Sequence, residues 1–233
     1  MVRGTWVFIA LVLLLVTACG REEPPPGAGT STSHGTSTAG GEAVWRPASR
    51  PRIVFLGDSL TAGLGLPKPD SVPARIAARL EQEGYDYEVV NAGVSGDTSA
   101  GGLSRLEWSL EGDVQLLVIE LGANDGLRGL PVAAMKRNLD EIITRAKGRG
   151  ITVVLTGMEA PPNYGAAYTS EFRQAFRDLA RDHEVAFVPF FLEGVAGIPA
   201  LNQGDGIHPN AEGARIIERT MWETIGPLVA DLE

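Results

Sequence analysis

Short unbroken apolar runs alternate with stretches of helical periodicity from residue 52 onward. The run Ile53-Val54-Phe55-Leu56 is wholly apolar, as expected of a strand buried on both faces. Residues 73–83 put Ile76, Ala77 and Leu80 on one helical face, with Pro73 near the first turn, where its missing N–H costs little. A second strand is predicted over residues 87–90 and a helix over 99–110. The strongest strand pattern covers residues 114–121. Residues 131–147 read as a helix with Ala134, Leu139, Ile142, Ile143 and Ala146 on its apolar side, ended by Gly148 or Gly150. Strand four is predicted over 151–156, a helix over 170–182, strand five over 185–188 and a closing helix over 211–229.

Five strands alternating with five helices predict an α/β fold, a three-layer flavodoxin-like sandwich around a five-stranded parallel sheet of order 2-1-3-4-5. Open sheets of this kind bind ligands outside the C-terminal strand ends, where the strand order reverses. No internal repeat and no second domain is evident.

The first fifty residues follow different rules. Residues 7–16 are an unbroken apolar run behind the single basic residue Arg3. That is half of the roughly twenty residues a bilayer crossing needs, and it fits a secretory signal. The run ends in Val16-Thr17-Ala18-Cys19-Gly20, and Cys19 is the only cysteine of the chain. Small residues before Cys resemble the bacterial lipoprotein processing box, in which the Cys is lipidated and becomes the first mature residue. The expected organisation is therefore a signal peptide over 1–18, a lipidated Cys19 with a Gly/Ser/Thr/Pro-rich tether over 19–50, and the folded domain over 51–233. An ordinary signal peptide and an uncleaved anchor are the alternatives. A tether of thirty such residues spans about 30 Å. The location this implies is extracytoplasmic, on a membrane through Cys19.

Acidic residues outnumber basic ones 29 to 20, a formal charge of −9, and cleavage after Ala18 would remove one more positive charge. Such a surface is repelled by nucleic acid phosphates, so nucleic acid is not an expected partner. A monomer is expected.

The chemistry is concentrated in the loops that this topology gathers at one sheet edge. Strand one ends in Gly57-Asp58-Ser59-Leu60, and Asp205-Gly206-Ile207-His208-Pro209 precedes the last helix. A serine on a sharp turn, with an Asp and a His three apart, are the parts of a nucleophilic hydrolase: the hydroxyl needs a base, and the base needs a group that fixes its tautomer. Strand two ends in Asn91-Ala92-Gly93-Val94-Ser95-Gly96-Asp97-Thr98, and strand three in Gly122-Ala123-Asn124-Asp125-Gly126. Gly96 can offer an unobstructed backbone N–H, Asn124 a neutral amide and Ser59 its own backbone N–H to a developing oxyanion. Each block taken singly also reads as turn chemistry. Of the three histidines, His34 lies in the tether, and His183 reads as an exposed charged helix end beside Arg181, Asp182 and Glu184. Asp58 and Asp125 are expected to bond nearby loop amides, and Asp58 could also tune the site. No metal-ligand cluster or cofactor motif is present.

Together Gly57-Asp58-Ser59-Leu60, Gly96, Asn124 and His208 resemble the four blocks that name the SGNH, or GDSL-type, hydrolases. Residues 91–98, 120–129, 161–165 and 205–210 resemble its branch of arylesterases and multifunctional acyl-CoA thioesterase/lysophospholipases. The resemblance runs from about residue 52 to the end. It implies Ser59 as nucleophile, His208 as base, Asp205 as its orienting partner, and Ser59 N–H, Gly96 N–H and Asn124 as the oxyanion hole. It implies a carboxylic ester hydrolase working through an acyl-serine, without cofactor. Small esters and lysophospholipids are the expected substrates, with thioesters also open. Met158, Tyr164, Phe191, Leu192, Ile198 and Leu201 are candidates for an acyl groove or, equally, for core packing. A carbohydrate O-acetyl esterase is the alternative enzyme. A non-catalytic lipid-anchored binding module and a flavodoxin-like phosphate binder are alternatives of a different class.

Overall fold

The computed structural model describes residues 50–232. The expectations placed on residues 1–49, including Cys19, His34 and most of the tether, lie outside the described residues.

Five parallel strands form one sheet in the order β2-β1-β3-β4-β5. They are β1 (Arg52–Gly57), β2 (Glu88–Gly93), β3 (Val114–Glu120), β4 (Thr152–Thr156) and β5 (Ala186–Val188). The order and the parallel sense are those expected from the alternation of elements. β1 lies between β2 and β3, with Ile53 opposite Val89 on one side and Leu116 on the other. Ile53 to Leu56 and Leu116 to Ile119 have no solvent exposure, which is why both runs are apolar without alternation.

The helices are α1 (Ser59–Ala62), α2 (Val72–Glu83), α3 (Ser99–Ser104), α4 (Leu106–Ser109), α5 (Ala123–Leu127), α6 (Val132–Gly148), α7 (Ala166–His183) and α8 (Ala211–Leu232). α2 packs with α8, and α3, α6 and α7 pack together on the other face. α2 begins at Ser71, whose Oγ accepts the Ala74 N–H at 3.4 Å, and it buries Ile76 and Leu80. α6 turns Met135, Leu139, Ile142, Ile143 and Ala146 inward; α7 contributes Phe172, Phe176 and Leu179.

The single helix expected over 99–110 is two pieces. Gly101 and Gly102 weaken its first turn, and Arg105 leaves helical geometry at φ −110°, ψ 9°. The helix expected from residue 170 starts at Ala166, just after Gly165 closes a 3-10 turn over Pro162–Tyr164. α1 and α5, each about one turn long, escaped the sequence reading because they are too short to show a period.

Candidate active site

The strand ends deliver four loops to one rim. β1 stops at Gly57, and Asp58 caps the turn that follows, its Oδ1 accepting the Leu60 N–H at 3.0 Å. Ser59 is therefore the first residue of α1. His208 Nε2 lies 2.9 Å from Ser59 Oγ, and His208 Nδ1 lies 2.7 Å from Asp205 Oδ2. Asp205 Oδ1 accepts the backbone N–H groups of Ile207 at 2.9 Å and His208 at 3.0 Å. The His208 side chain first, then these two amides, hold the Asp205 carboxyl well below the usual carboxylate range. Asp205 is thus an anion aimed at the Nδ1 side of the ring. The other ring nitrogen faces the serine.

Gln203 holds this loop in place. Its Nε2 donates to Leu64 O at 2.7 Å and Pro209 O at 2.9 Å, while its backbone N–H donates to His208 O at 2.7 Å. The loop carrying the imidazole is thereby tied to the end of the helix carrying Ser59. Nothing in the sequence pattern pointed to Gln203, since its partners are backbone carbonyls, one of them on a distant loop.

The loop after β2 presents Gly96 at φ +86°, where a side chain would be strained. Neither the Gly96 N–H nor the Ser59 N–H has an acceptor among the described residues. Arg128 Nη2 donates to Gly96 O at 2.8 Å. Asn124, in α5, donates from Nδ2 to Asp58 Oδ2 at 2.9 Å. Asp125 accepts Ser99 N–H at 2.8 Å and Ser99 Oγ–H at 2.7 Å, bonding the loop after β3 to the start of α3. Asp58 and Asp125 therefore bond nearby loop amides, as expected, and Asp58 also orients Asn124.

Arg105, at the break between α3 and α4, joins these loops. It donates to Gly57 O at 2.8 Å, Ala92 O at 2.6 Å and Asp97 Oδ2 at 2.7 Å. One guanidinium thus spans the ends of β1 and β2 and the residue after Gly96. In the sequence it looks like one polar residue of a helix.

His183 does not join the site. It ends α7 and pairs through Nε2 with the exposed Asp140 of α6 at 2.7 Å; its own side chain is 19% exposed, so the imidazole is half-buried and not the exposed terminus expected. Of the groove candidates, Met158 and Phe191 are core residues, and Leu192 and Leu201 pack partly against it. Tyr164 and Ile198 are exposed. Tyr164 packs at a tilt against Tyr168, and their hydroxyls donate to Leu127 O and Leu130 O, supporting the chain beyond Asn124. The exposed apolar side chains beside the catalytic candidates are others: Leu64, Val94, Leu127, Leu130 and Ile207. Leu127 ends the one-turn α5 and the others stand singly on loops, without the periodicity that marks longer helices and strands. Among the described residues no group of His, Cys, Asp and Glu is placed to hold a metal ion.

The profile of the GDSL-like lipase/acylhydrolase family matches residues 55–216, a span that contains all four loops. The chain belongs to this family. It is 44% identical over 183 residues to esterase TesA of Pseudomonas aeruginosa, covering 78% of this chain and 91% of that one. It is 35% identical over 187 residues to thioesterase 1/protease 1/lysophospholipase L1 of Escherichia coli K12, covering 80% and 88%. The crystal structure of the psychrotrophic esterase EstA from Pseudoalteromonas sp. superposes with a TM-score of 0.73 at 34% identity, covering 77% of this chain and 98% of EstA. The GDSL-type chain described here is a serine ester hydrolase acting on carboxylic esters.

Proposed function

We propose that Ser59, His208 and Asp205 form the catalytic triad, and that the Ser59 N–H, Gly96 N–H and Asn124 form the oxyanion hole. The 2.9 Å approach of His208 Nε2 to Ser59 Oγ carries this reading. His208 takes the Ser59 proton while Oγ bonds to the acyl carbon. The carbonyl oxygen becomes an anion held by two free backbone N–H groups and the Asn124 amide. As the bond to the leaving group breaks, His208 gives its proton to the departing oxygen or sulfur. Water then repeats the sequence and releases the acid. Asp205 stays ionised throughout and stabilises the imidazolium.

The substrates we propose are amphiphilic acyl esters outside the cytoplasm, lysophospholipids among them. The exposed Leu64, Val94, Leu127, Leu130 and Ile207 on the rim loops favour an acyl chain over a bare acetyl group. The activity named for the Escherichia coli relative agrees with that choice. The test is a hydrolysis series of p-nitrophenyl esters from acetate to palmitate, with lysophosphatidylcholine and a palmitoyl thioester alongside. Rates that hold or rise to medium and long chains, with release of fatty acid from lysophosphatidylcholine, are expected. A sharp maximum at acetate would instead favour the carbohydrate O-acetyl esterase.

Membrane attachment through a lipid on Cys19 belongs to the same proposal. Its support is the apolar run over residues 7–16 and the small residues before the single cysteine. Several acyl chains on one residue give firm anchoring at about 0.8 kcal/mol per buried methylene. In a bacterial host the full chain is expected to incorporate radiolabelled palmitate and to sediment with membranes. Cys19→Ser should abolish both, and label persisting in Cys19→Ser would refute lipidation at that residue.

A further inference from the structure

Glu120 is the last residue of β3, in register with Gly57 of β1, and it has no solvent exposure. Its side chain runs beneath the turn that carries Ser59. Oε2 accepts three hydrogen bonds there: from Thr61 Oγ1 at 2.7 Å, Thr61 N–H at 3.2 Å and Asp58 N–H at 3.3 Å. The carboxyl also explains Gly57. A Cβ at that position would fall 2.7 Å from Glu120 Oε2 and within 2.0 Å of Thr61 Oγ1. The residue before Asp58-Ser59 is glycine because the Thr61 side chain and the Glu120 carboxyl bound to it fill the space a side chain would need.

The other oxygen, Oε1, is buried and receives no donor from the protein. The buried carboxyl of Asp58 lies beside it, close enough for its charge to disfavour a second one on Glu120. Two carboxyl groups can share a hydrogen bond only when one of them is protonated. No Lys or Arg side chain donates to either group among the described residues, and a charge on His208 would favour the anion of Asp58 rather than that of Glu120. The environments then decide which acid keeps the proton. Asp58 is met by two donors suited to an anion, Leu60 N–H on Oδ1 and Asn124 Nδ2 on Oδ2. Glu120 has all its donors on one oxygen and none on the other.

We propose that Glu120 is a positioning residue for ester hydrolysis: as the neutral acid it clamps residues 58–61 around Ser59 and donates its proton to the Asp58 carboxylate, which in turn orients the Asn124 amide. Burial first, and then the Asp58 charge, push the Glu120 carboxyl well above its usual range. Burial also raises Asp58, against the pull of the Leu60 and Asn124 hydrogen bonds. A neutral Glu120 keeps a second negative charge from standing under the site where the oxyanion forms. The assignment rests on Ser59 being the nucleophile.

The test compares Glu120→Gln and Glu120→Ala in the full-length protein with p-nitrophenyl butyrate, together with infrared spectra. Gln can receive the same three donors on its oxygen and donate its amide N–H to Asp58, so it copies the neutral acid. Glu120→Ala should lower kcat by about 100-fold with KM within about threefold, the scale of a small misplacement of reacting groups. Glu120→Gln should recover kcat to within about tenfold of the parent. Infrared spectra near pH 7 should show a protonated-carboxyl C=O band that Glu120→Gln lacks. Glu120→Gln as impaired as Glu120→Ala, or parental kcat in Glu120→Ala, would overturn the proposal, as would no band assignable to Glu120. If Glu120→Ala does not fold, Glu120→Gln and the band still decide. The band is read without turnover, so its absence from the parent protein counts against a neutral Glu120 whatever the fate of the Ser59 assignment.

Discussion

Ser59→Ala is expected to lower kcat/KM on p-nitrophenyl butyrate by about 10⁴- to 10⁶-fold, the scale on which serine hydrolases lose activity with their nucleophile. The substitution deletes one oxygen whose hydrogen-bond partner is His208, and leaves the His208–Asp205 pair and the backbone N–H groups of Ser59 and Gly96 in place. What survives should be the modest catalysis of the oxyanion site acting on water. Thermal stability should barely change, since Ser59 Oγ is not part of the core. Steady-state kinetics beside a melting curve separate these effects. A variant keeping more than about a tenth of parental kcat/KM would mean that Ser59 is not the nucleophile, because a positioned hydroxyl that merely binds substrate contributes far less.

His208→Ala should be about as damaging, roughly 10⁴- to 10⁶-fold in kcat, since an unassisted serine hydroxyl is almost never deprotonated near neutrality. The two losses should not add. Base and nucleophile act as one unit, so the double variant Ser59→Ala/His208→Ala should be no slower than either single one. A fluorophosphonate probe gives an independent reading: it should label the parent rapidly and His208→Ala slowly. Losses that multiply in the double variant, or rapid labelling of His208→Ala, would show that some other group activates the serine. His183 is a poor substitute, being held by Asp140 at the far end of α7.

Neither substitution should disturb the sheet, because the fold and the chemistry draw on different residues. Ile53 to Leu56 and Leu116 to Ile119 were readable as central strands from their apolar runs alone, and the sheet order followed from the alternation of elements. Ser59, Gly96, Asn124, Asp205 and His208 were readable because each sits at the boundary of a recognisable element. The β1–α1 turn, the loops after β2 and β3, and the loop before α8 are addresses that element order assigns to one rim.

Other parts were invisible for a physical reason. Arg105 and Gln203 bind backbone carbonyls, and a carbonyl leaves no trace in residue identity. Met158 and Phe191 read equally as groove or core residues from their place after β4 and β5, and only the tertiary packing, which no local pattern encodes, buries both. The helix expected over 99–110 breaks where Arg105 turns to reach Gly57 and Ala92, an advantage that exists only once β1 and β2 are side by side.

Glu120 marks the division most sharply. As one polar residue at the end of an apolar strand it is unremarkable. It acquires a role only when Gly57, Asp58 and Thr61 are folded over it. The sequence by itself determined the strands, their order, the family and the candidate residues for the chemistry, because apolar runs, turn composition and reactive side chains are local properties. The tertiary structure alone decided which side chains hold that chemistry in place, because a hydrogen bond across 62 residues of chain depends on where the backbone goes.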